Sequence, residues 1–180
     1  MSSTFLGNKI VVVGPNGSGK TTFAKKLSDN LNLPFYELDS ISWLPDWKEL
    51  PNAEFRERIN EITQNDKWII DGNYARNQDL TIGKAETVIW LNYSIVKSVY
   101  RVVKRSAYRM YTQKPLWHNN RESFRRALSP KNSIILFAMK SFKGKNARYE
   151  QMMMKNDFKT INWIRIRNKR DESGFWSSLK

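Results

Sequence analysis

The segment Gly14-Pro-Asn-Gly-Ser-Gly-Lys20-Thr21 constrains this chain more than any other eight residues. It fits the pattern G-x-x-x-x-G-K-[ST] in full. A β-branched run, Lys9-Ile-Val-Val-Val13, precedes it, and Phe23, Leu27 and Leu31 follow at four-residue spacing. The first reads as a buried parallel strand and the second as one face of a helix. Between them, glycines let backbone N–H groups turn inward around an anion with no Cβ in the way. Lys20 reaches β- and γ-phosphate oxygens and Thr21 offers a hydroxyl to Mg²⁺. The helix opening near Gly19 points its positive end at the same anion. ATP and Mg²⁺ are therefore the expected cofactors, held by Gly14, Asn16, Gly17, Ser18, Gly19, Lys20, Thr21 and Thr22.

The remaining periodicity alternates strand and helix. Pro34–Asp39 reads as a second strand ending in a carboxylate, and Pro51-Asn52 opens a helix with Phe55, Ile59 and Ile62 on one side. Trp68–Gly72 and Thr87–Asn92 read as the third and fourth strands. Ser94 caps a long helix through about Tyr111, with Ile95, Val99, Val102, Val103 and Met110 as its apolar positions. After a weakly patterned stretch from Thr112 to Ser133, a helix is expected to about Met154. A last strand follows over Thr160–Arg167, and then a short helix capped by Asp171. This alternation predicts a three-layer α/β/α fold of the P-loop NTPase type with a five-stranded parallel sheet. One domain over residues 1–180 is expected, with 106–133 as a short helical lid insertion.

Charge is unevenly placed. The chain of 180 residues carries +14 overall, but residues 1–92 sum to −2 and residues 93–180 to +16. The second half is therefore expected to meet something anionic: ATP phosphates, nucleic acid or an acidic surface. No run approaches the roughly 18 apolar residues of a membrane span, and the start lacks the pattern of a secretory signal. Cysteine is absent, which excludes disulfides and thiolate zinc sites and fits a cytoplasmic setting.

Beyond the loop, the chain resembles the adenylate-kinase-like branch of P-loop kinases, and most closely the bacterial DNA topology modulation proteins. The residues that carry this are Leu38-Asp39-Ser-Ile-Ser-Trp43-Leu-Pro-Asp-Trp47, Trp68-Ile-Ile-Asp71-Gly-Asn73-Tyr74-Ala-Arg76, Val88–Asn92 and Tyr100-Arg101-Val-Val-Lys104-Arg105. The resemblance implies that Asp71 is a carboxylate near Mg²⁺. It implies that Asn73, Tyr74 and Arg76 form an acceptor-side segment. It also implies that Arg101 and Arg105, one helical turn apart, border a lid, one stacking on adenine and the other reaching the transferring phosphate. Arginine suits both roles, as a planar stacking cation and as a bidentate phosphate ligand. Arg109 continues the row, and Arg121, Arg125 and Arg126 are further candidates for a closing arginine.

Asp39 is placed to accept the proton of a substrate hydroxyl, with Trp43 and Trp47 beside it to stack on a base or sugar; the alternative is an N-cap aspartate next to two core tryptophans. The Thr-Gly-Asp…Arg segment of nucleoside monophosphate kinases is missing here, with Arg56 and Arg58 the arginines available to replace its cation. Asn92 stands where the resemblance implies aspartate. His118 has no partner at metal-ligand spacing and reads as a surface residue, and Met152–Met154 read as core filler. Two functions follow: γ-phosphoryl transfer from Mg·ATP to a small-molecule acceptor, or nucleotide-dependent nucleic-acid binding through the basic half. Oligomeric state is not legible.

Overall fold

A computed structural model describes residues 6–122, 134–154 and 160–179. Five strands form one parallel sheet: β1 (Lys9–Val13), β2 (Phe35–Glu37), β3 (Trp68–Asp71), β4 (Thr87–Leu91) and β5 (Asn162–Ile166), in the order β2-β3-β1-β4-β5. β1, β3 and β4 are buried on both faces, as unbroken runs of Val, Ile, Leu and Trp require. Helices α1 (Lys20–Leu31), α2 (Leu38–Ser42), α3 (Asn52–Gln64), α4 (Ile95–Thr112), α5 (Ile134–Met154) and α6 (Lys169–Ser178) connect and follow them.

The core lies in two sheets of side chains. Val11, Val13, Ile70, Val88 and Trp90 point to one face, against Phe55 and Ile59 of α3 and Tyr149 of α5. Ile10, Val12, Ile69 and Ile89 point to the other, against Phe23 and Leu27 of α1 and Phe175 of α6. That is the three-layer α/β/α arrangement expected from the sequence, and it is a P-loop kinase fold. Its consequence for function is positional, because in such sheets ligands gather beyond the carboxyl ends of the strands where the order reverses beside β1.

Four local readings are corrected. The second strand stops at Glu37, so Asp39 lies in the first turn of α2 and Glu37 holds the strand end. α4 does not bury Val103, which is 40% exposed; it buries Ser98, Val102, Ser106 and Met110. At Ser98 on that face α4 approaches the phosphate loop closely, its carbonyl lying where a Cβ on Gly17 would stand. The helix runs through Thr112, as expected from the sequence, and takes in residues 106–112. The cap of α6 is Asn168, whose side chain accepts from the Arg170 and Asp171 N–H groups, while Asp171 reaches back to the Arg167 N–H. Of the three methionines, Met152 is buried, but Met154 is 81% exposed.

Candidate active site

The loop between β1 and α1 is held from three sides. Gly14 has φ 147° and Gly17 φ 80°. A Cβ on Gly14 would collide with the Leu91 carbonyl of β4, and one on Gly17 with the Ser98 carbonyl of α4. Glycine is thus demanded here by both backbone conformation and close approach. On the third side Asn73 pairs with the Gly14 backbone like a strand: its Oδ1 accepts from the Gly14 N–H at 3.1 Å and its Nδ2 donates to the Gly14 carbonyl at 2.6 Å. The Tyr149 hydroxyl donates to the same Oδ1 at 2.7 Å. Asn73, expected to touch substrate, is instead committed to the loop.

Strand register assembles the carboxylates. Asp71 sits opposite Val12 of β1 and Glu37 of β2, so Glu37 and Asp71 share a face beside the first turn of α1. The Thr21 hydroxyl donates to Asp71 Oδ2 at 2.5 Å and lies 3.5 Å from Glu37 Oε1. Asp71 is 4% exposed, and its Oδ1 has no hydrogen-bond partner among the described residues. Burial pushes its pKa up to about 6; Lys20 and the Thr21 hydrogen bond pull it down, and Asp39 and Glu37 push it further up. A buried carboxylate oxygen without a partner, beside a hydroxyl and a second carboxylate, is the environment a divalent cation satisfies. Mg²⁺ prefers this sparse set, since it takes one or two carboxylates and completes its shell with water and phosphate oxygens. Among the described residues no group of three acidic, His or Cys side chains makes a self-sufficient metal cage. Glu37 was not singled out from sequence, because the strand was read two residues too long.

On the acceptor side, the Tyr74 hydroxyl donates to Asp39 Oδ1 at 2.7 Å, and burial and the Asp39 charge raise the tyrosine pKa. The Trp43 and Trp47 rings meet edge-on at 5.5 Å. Arg76 is exposed, and its carbonyl accepts from Arg56. Arg56 itself forms a two-pronged pair with Asp79 at 3.1 and 2.6 Å, so it braces this loop.

The arginine row separates by role. Arg101 Nη1 donates to the Ser18 carbonyl at 3.2 Å and its guanidinium lies 5.3 Å from the Tyr93 ring. It borders a cavity of about 270 Å³ that Ser18, Gly19, Thr22, Tyr93 and Trp176 also line, next to the phosphate loop and large enough for part of a nucleoside. Arg105 lies within electrostatic reach of Glu37, Asp39 and Glu122. Arg109 is paired with Glu122 at 3.1 Å. Arg121 is exposed and offers its carbonyl to the Trp47 indole. Arg125 and Arg126 lie outside the described residues, as does much of the 106–133 segment. His118 is exposed, with a ring nitrogen 3.2 Å from the Ser40 carbonyl.

One cation was missed by the sequence reading. Lys145 of α5 extends to the loop, with Nζ 3.5 Å from Asn16 Oδ1. Burial and the Lys20 charge lower its pKa to about 8, and Asp39 acts in the other direction. Lys145 therefore stands between the phosphate loop and the Asp39 side. The contacts that aim it flank it in sequence. Arg148 donates to the Ala75 carbonyl, Tyr149 to Asn73, and Glu150 accepts from Arg165 at 2.9 Å. Asn92, with its amide turned so that the nitrogen faces Asn146 and the oxygen faces Arg165, ties the end of β4 to the same helix.

Comparisons with known proteins bear on the fold that carries this site. A family model, the ATPase family associated with various cellular activities (AAA), matches residues 10–71, from β1 to Asp71. Shikimate kinase of Wigglesworthia glossinidia brevipalpis is 27% identical over 176 residues, spanning 86% of this chain and 90% of that protein. Shikimate kinase of Blochmanniella floridana is 31% identical over 111 residues, 52% of this chain and 58% of that protein. Among solved structures, a shikimate kinase from Bacteroides thetaiotaomicron superimposes with a TM-score of 0.56 at 15% identity over 94% of this chain and 93% of that one. A shikimate kinase from Acinetobacter baumannii in complex with shikimate gives 0.52 at 14% identity over 96% and 93%. These structures establish the fold.

Proposed function

We propose that the protein is an ATP-dependent kinase that transfers the γ-phosphoryl group of Mg·ATP to a hydroxyl of a small molecule. The observation that carries this is the convergence, on one edge of the sheet, of the phosphate loop, the Thr21–Asp71 pair with its free carboxylate oxygen, and the Asp39–Tyr74 pair. Mg²⁺, when bound by Thr21 and Asp71 with Glu37 nearby, would neutralise phosphate charge. The chain's own part is positioning and electrostatics. Backbone N–H groups of residues 14–21 cradle the donor phosphates, Lys20 and Lys145 offset charge on the transferred group, and Arg101 holds the nucleoside end. Asp39 accepts the acceptor's hydroxyl proton as the new O–P bond forms and the bond from the γ-phosphorus to the bridging oxygen breaks, leaving ADP. Arg105, Trp43, Tyr74 and Arg76 are the acceptor-side residues in this reading.

Asp39 gives a hydroxyl acceptor preference over a phosphate, which would need no base. The commitment of Arg56 to Asp79 further argues against a nucleoside monophosphate. Shikimate is the first acceptor to test, since two relatives by sequence are shikimate kinases. The finer likeness to the DNA topology modulation proteins, through WIIDGNY-x-R, points to a kinase-like core with its own acceptor. The positive charge of the second half is partly spent in the site by Arg101, Arg105 and Lys145, which weakens the case for nucleic acid as its main target. The test is acceptor-dependent ADP formation from Mg·ATP, with shikimate, other hydroxy acids, sugars, nucleosides and nucleoside monophosphates assayed in turn.

A further inference from the structure

Two left-handed turns face each other across the acceptor side of the site. Asp46 and Trp47 have φ 60° and 57°, and His118 and Asn119 have φ 53° and 62°. Asp, Asn and His tolerate this conformation, but a bulky residue such as Trp47 holds it only where the surroundings fix it, and such residues concentrate at functional sites. Here the fixing group is Asn120, which is 4% exposed. Its Oδ1 accepts from the Trp47 N–H at 2.9 Å and its Nδ2 donates to the Leu44 carbonyl at 2.9 Å. The Trp47 indole donates to the Arg121 carbonyl at 3.0 Å. Residues 116–121 are thereby fastened to residues 40–47.

The fastened segment reaches the phosphate site through one side chain. The Trp117 indole N–H donates to Glu37 Oε2 at 3.3 Å, while the other oxygen of Glu37 lies 3.5 Å from the Thr21 hydroxyl. A continuous path therefore runs from Leu44 and Trp47, through Asn120 and Trp117, to Glu37, Thr21 and Asp71. A carboxylate held at one oxygen presents the other in a defined direction, and Trp117 holds the Glu37 oxygen that does not face Thr21.

We propose that Trp117 is a positioning residue. It orients Glu37 toward Thr21 and the Mg·nucleotide, so that docking of the 116–121 segment on the acceptor side is coupled to formation of the donor site. This rests on the nucleotide-binding reading above, and the coupling is separable from it. A group acting only through Glu37 must lose its effect when Glu37 can no longer respond, which a general packing role does not.

The experiment is a double-mutant cycle on the full chain with Trp117→Phe, Glu37→Ala and the double variant, Glu37→Gln being kept for a spectroscopic arm. It reads the affinity for Mg²⁺ with a non-hydrolysable ATP analogue. Trp117→Phe keeps an aromatic ring and removes the donor; loss of one charge-assisted hydrogen bond predicts weakening of roughly 3- to 10-fold. In the Glu37→Ala background the same change should alter affinity less than about twofold, on the same non-additivity argument. In parallel, the Trp117 indole ¹H–¹⁵N resonance, assigned in the wild type by through-bond connectivity, should move on Glu37→Gln and again on adding the Mg²⁺ complex. This spectroscopic arm uses wild-type Trp117 and stands even if Trp117→Phe folds poorly. Equal effects of Trp117→Phe in both backgrounds, or an indole resonance indifferent to Glu37→Gln, would overturn the coupling. Absence of nucleotide binding by the wild type would instead overturn the kinase reading, and the proposal with it.

Discussion

The Thr21 hydroxyl and the Asp71 carboxylate meet at 2.5 Å, and the second oxygen of that buried carboxylate has no protein partner among the described residues. The first belongs to the opening turn of α1 and the second to the end of β3, so the contact exists only because β3 lies beside β1 in the sheet. An isolated buried charge is costly, and this one is left in place where a cation would compensate it.

That arrangement predicts opposite effects of pH on the free protein and on its complex. With a native pKa of about 6 against an ordinary 3.8, Asp71 binds more protons in the folded than in the unfolded state. Stability of the free protein should therefore fall as pH rises through the window from about 4 to 6. Asp71→Asn should raise stability at pH 7 by about 3 kcal/mol and give no gain below about pH 4. Mg²⁺-dependent nucleotide binding should change the other way, weakening below about pH 6 in the wild type and disappearing in the variant. Urea denaturation and nucleotide titration across pH 4–8 check both signs.

Lys145 predicts an alkaline limb. Its ammonium is lost above about pH 8, so turnover should decline there. Lys145→Arg, which stays charged, should shift that limb upward, and Lys145→Met should lower kcat/KM at pH 7 by roughly 10- to 100-fold. A pH–rate profile on the three proteins is the measurement.

Asn73 predicts a stability effect where a substrate contact would predict none. Asn73→Ala removes both bonds to Gly14 and orphans the buried Tyr149 hydroxyl, which should cost about 2–4 kcal/mol. Nucleotide affinity should fall as well. Tyr149→Phe should cost only about 1 kcal/mol, measured by denaturant midpoint.

Asp39 predicts a split between binding and chemistry. Asp39→Asn should lower acceptor-dependent kcat by roughly 100-fold or more while the nucleotide dissociation constant stays within about twofold.

The fold was legible because its signals are local. The phosphate loop, the four-residue spacing of Phe23, Leu27 and Leu31, and the apolar runs of β1, β3 and β4 each specify their own element. What escaped depends on contacts across the fold. Glu37 was hidden because β2 has only three residues, and nothing in Phe35-Tyr-Glu-Leu-Asp39 marks where extended backbone turns to helix. Lys145 is distant in sequence from Lys20 and gains its place from the docking of Arg148, Tyr149 and Glu150 on two separate segments, the loop after β3 and β5. At Asn73 the residue type fits two different roles. An amide can read a ligand or imitate a backbone, and only the nearness of Gly14 decides which. The burial of Ser98 in α4 follows from the closeness of Gly17, which helical periodicity does not encode.

The central claim is most directly tested by ADP formation from Mg·ATP in the presence of shikimate and, in turn, of other hydroxy acids, sugars, nucleosides and nucleoside monophosphates, with Lys20→Ala beside the wild type. The account predicts turnover that depends on one hydroxyl-bearing acceptor and is lost in Lys20→Ala. Binding of Mg·ATP with no ADP formed above background for any acceptor class would contradict it.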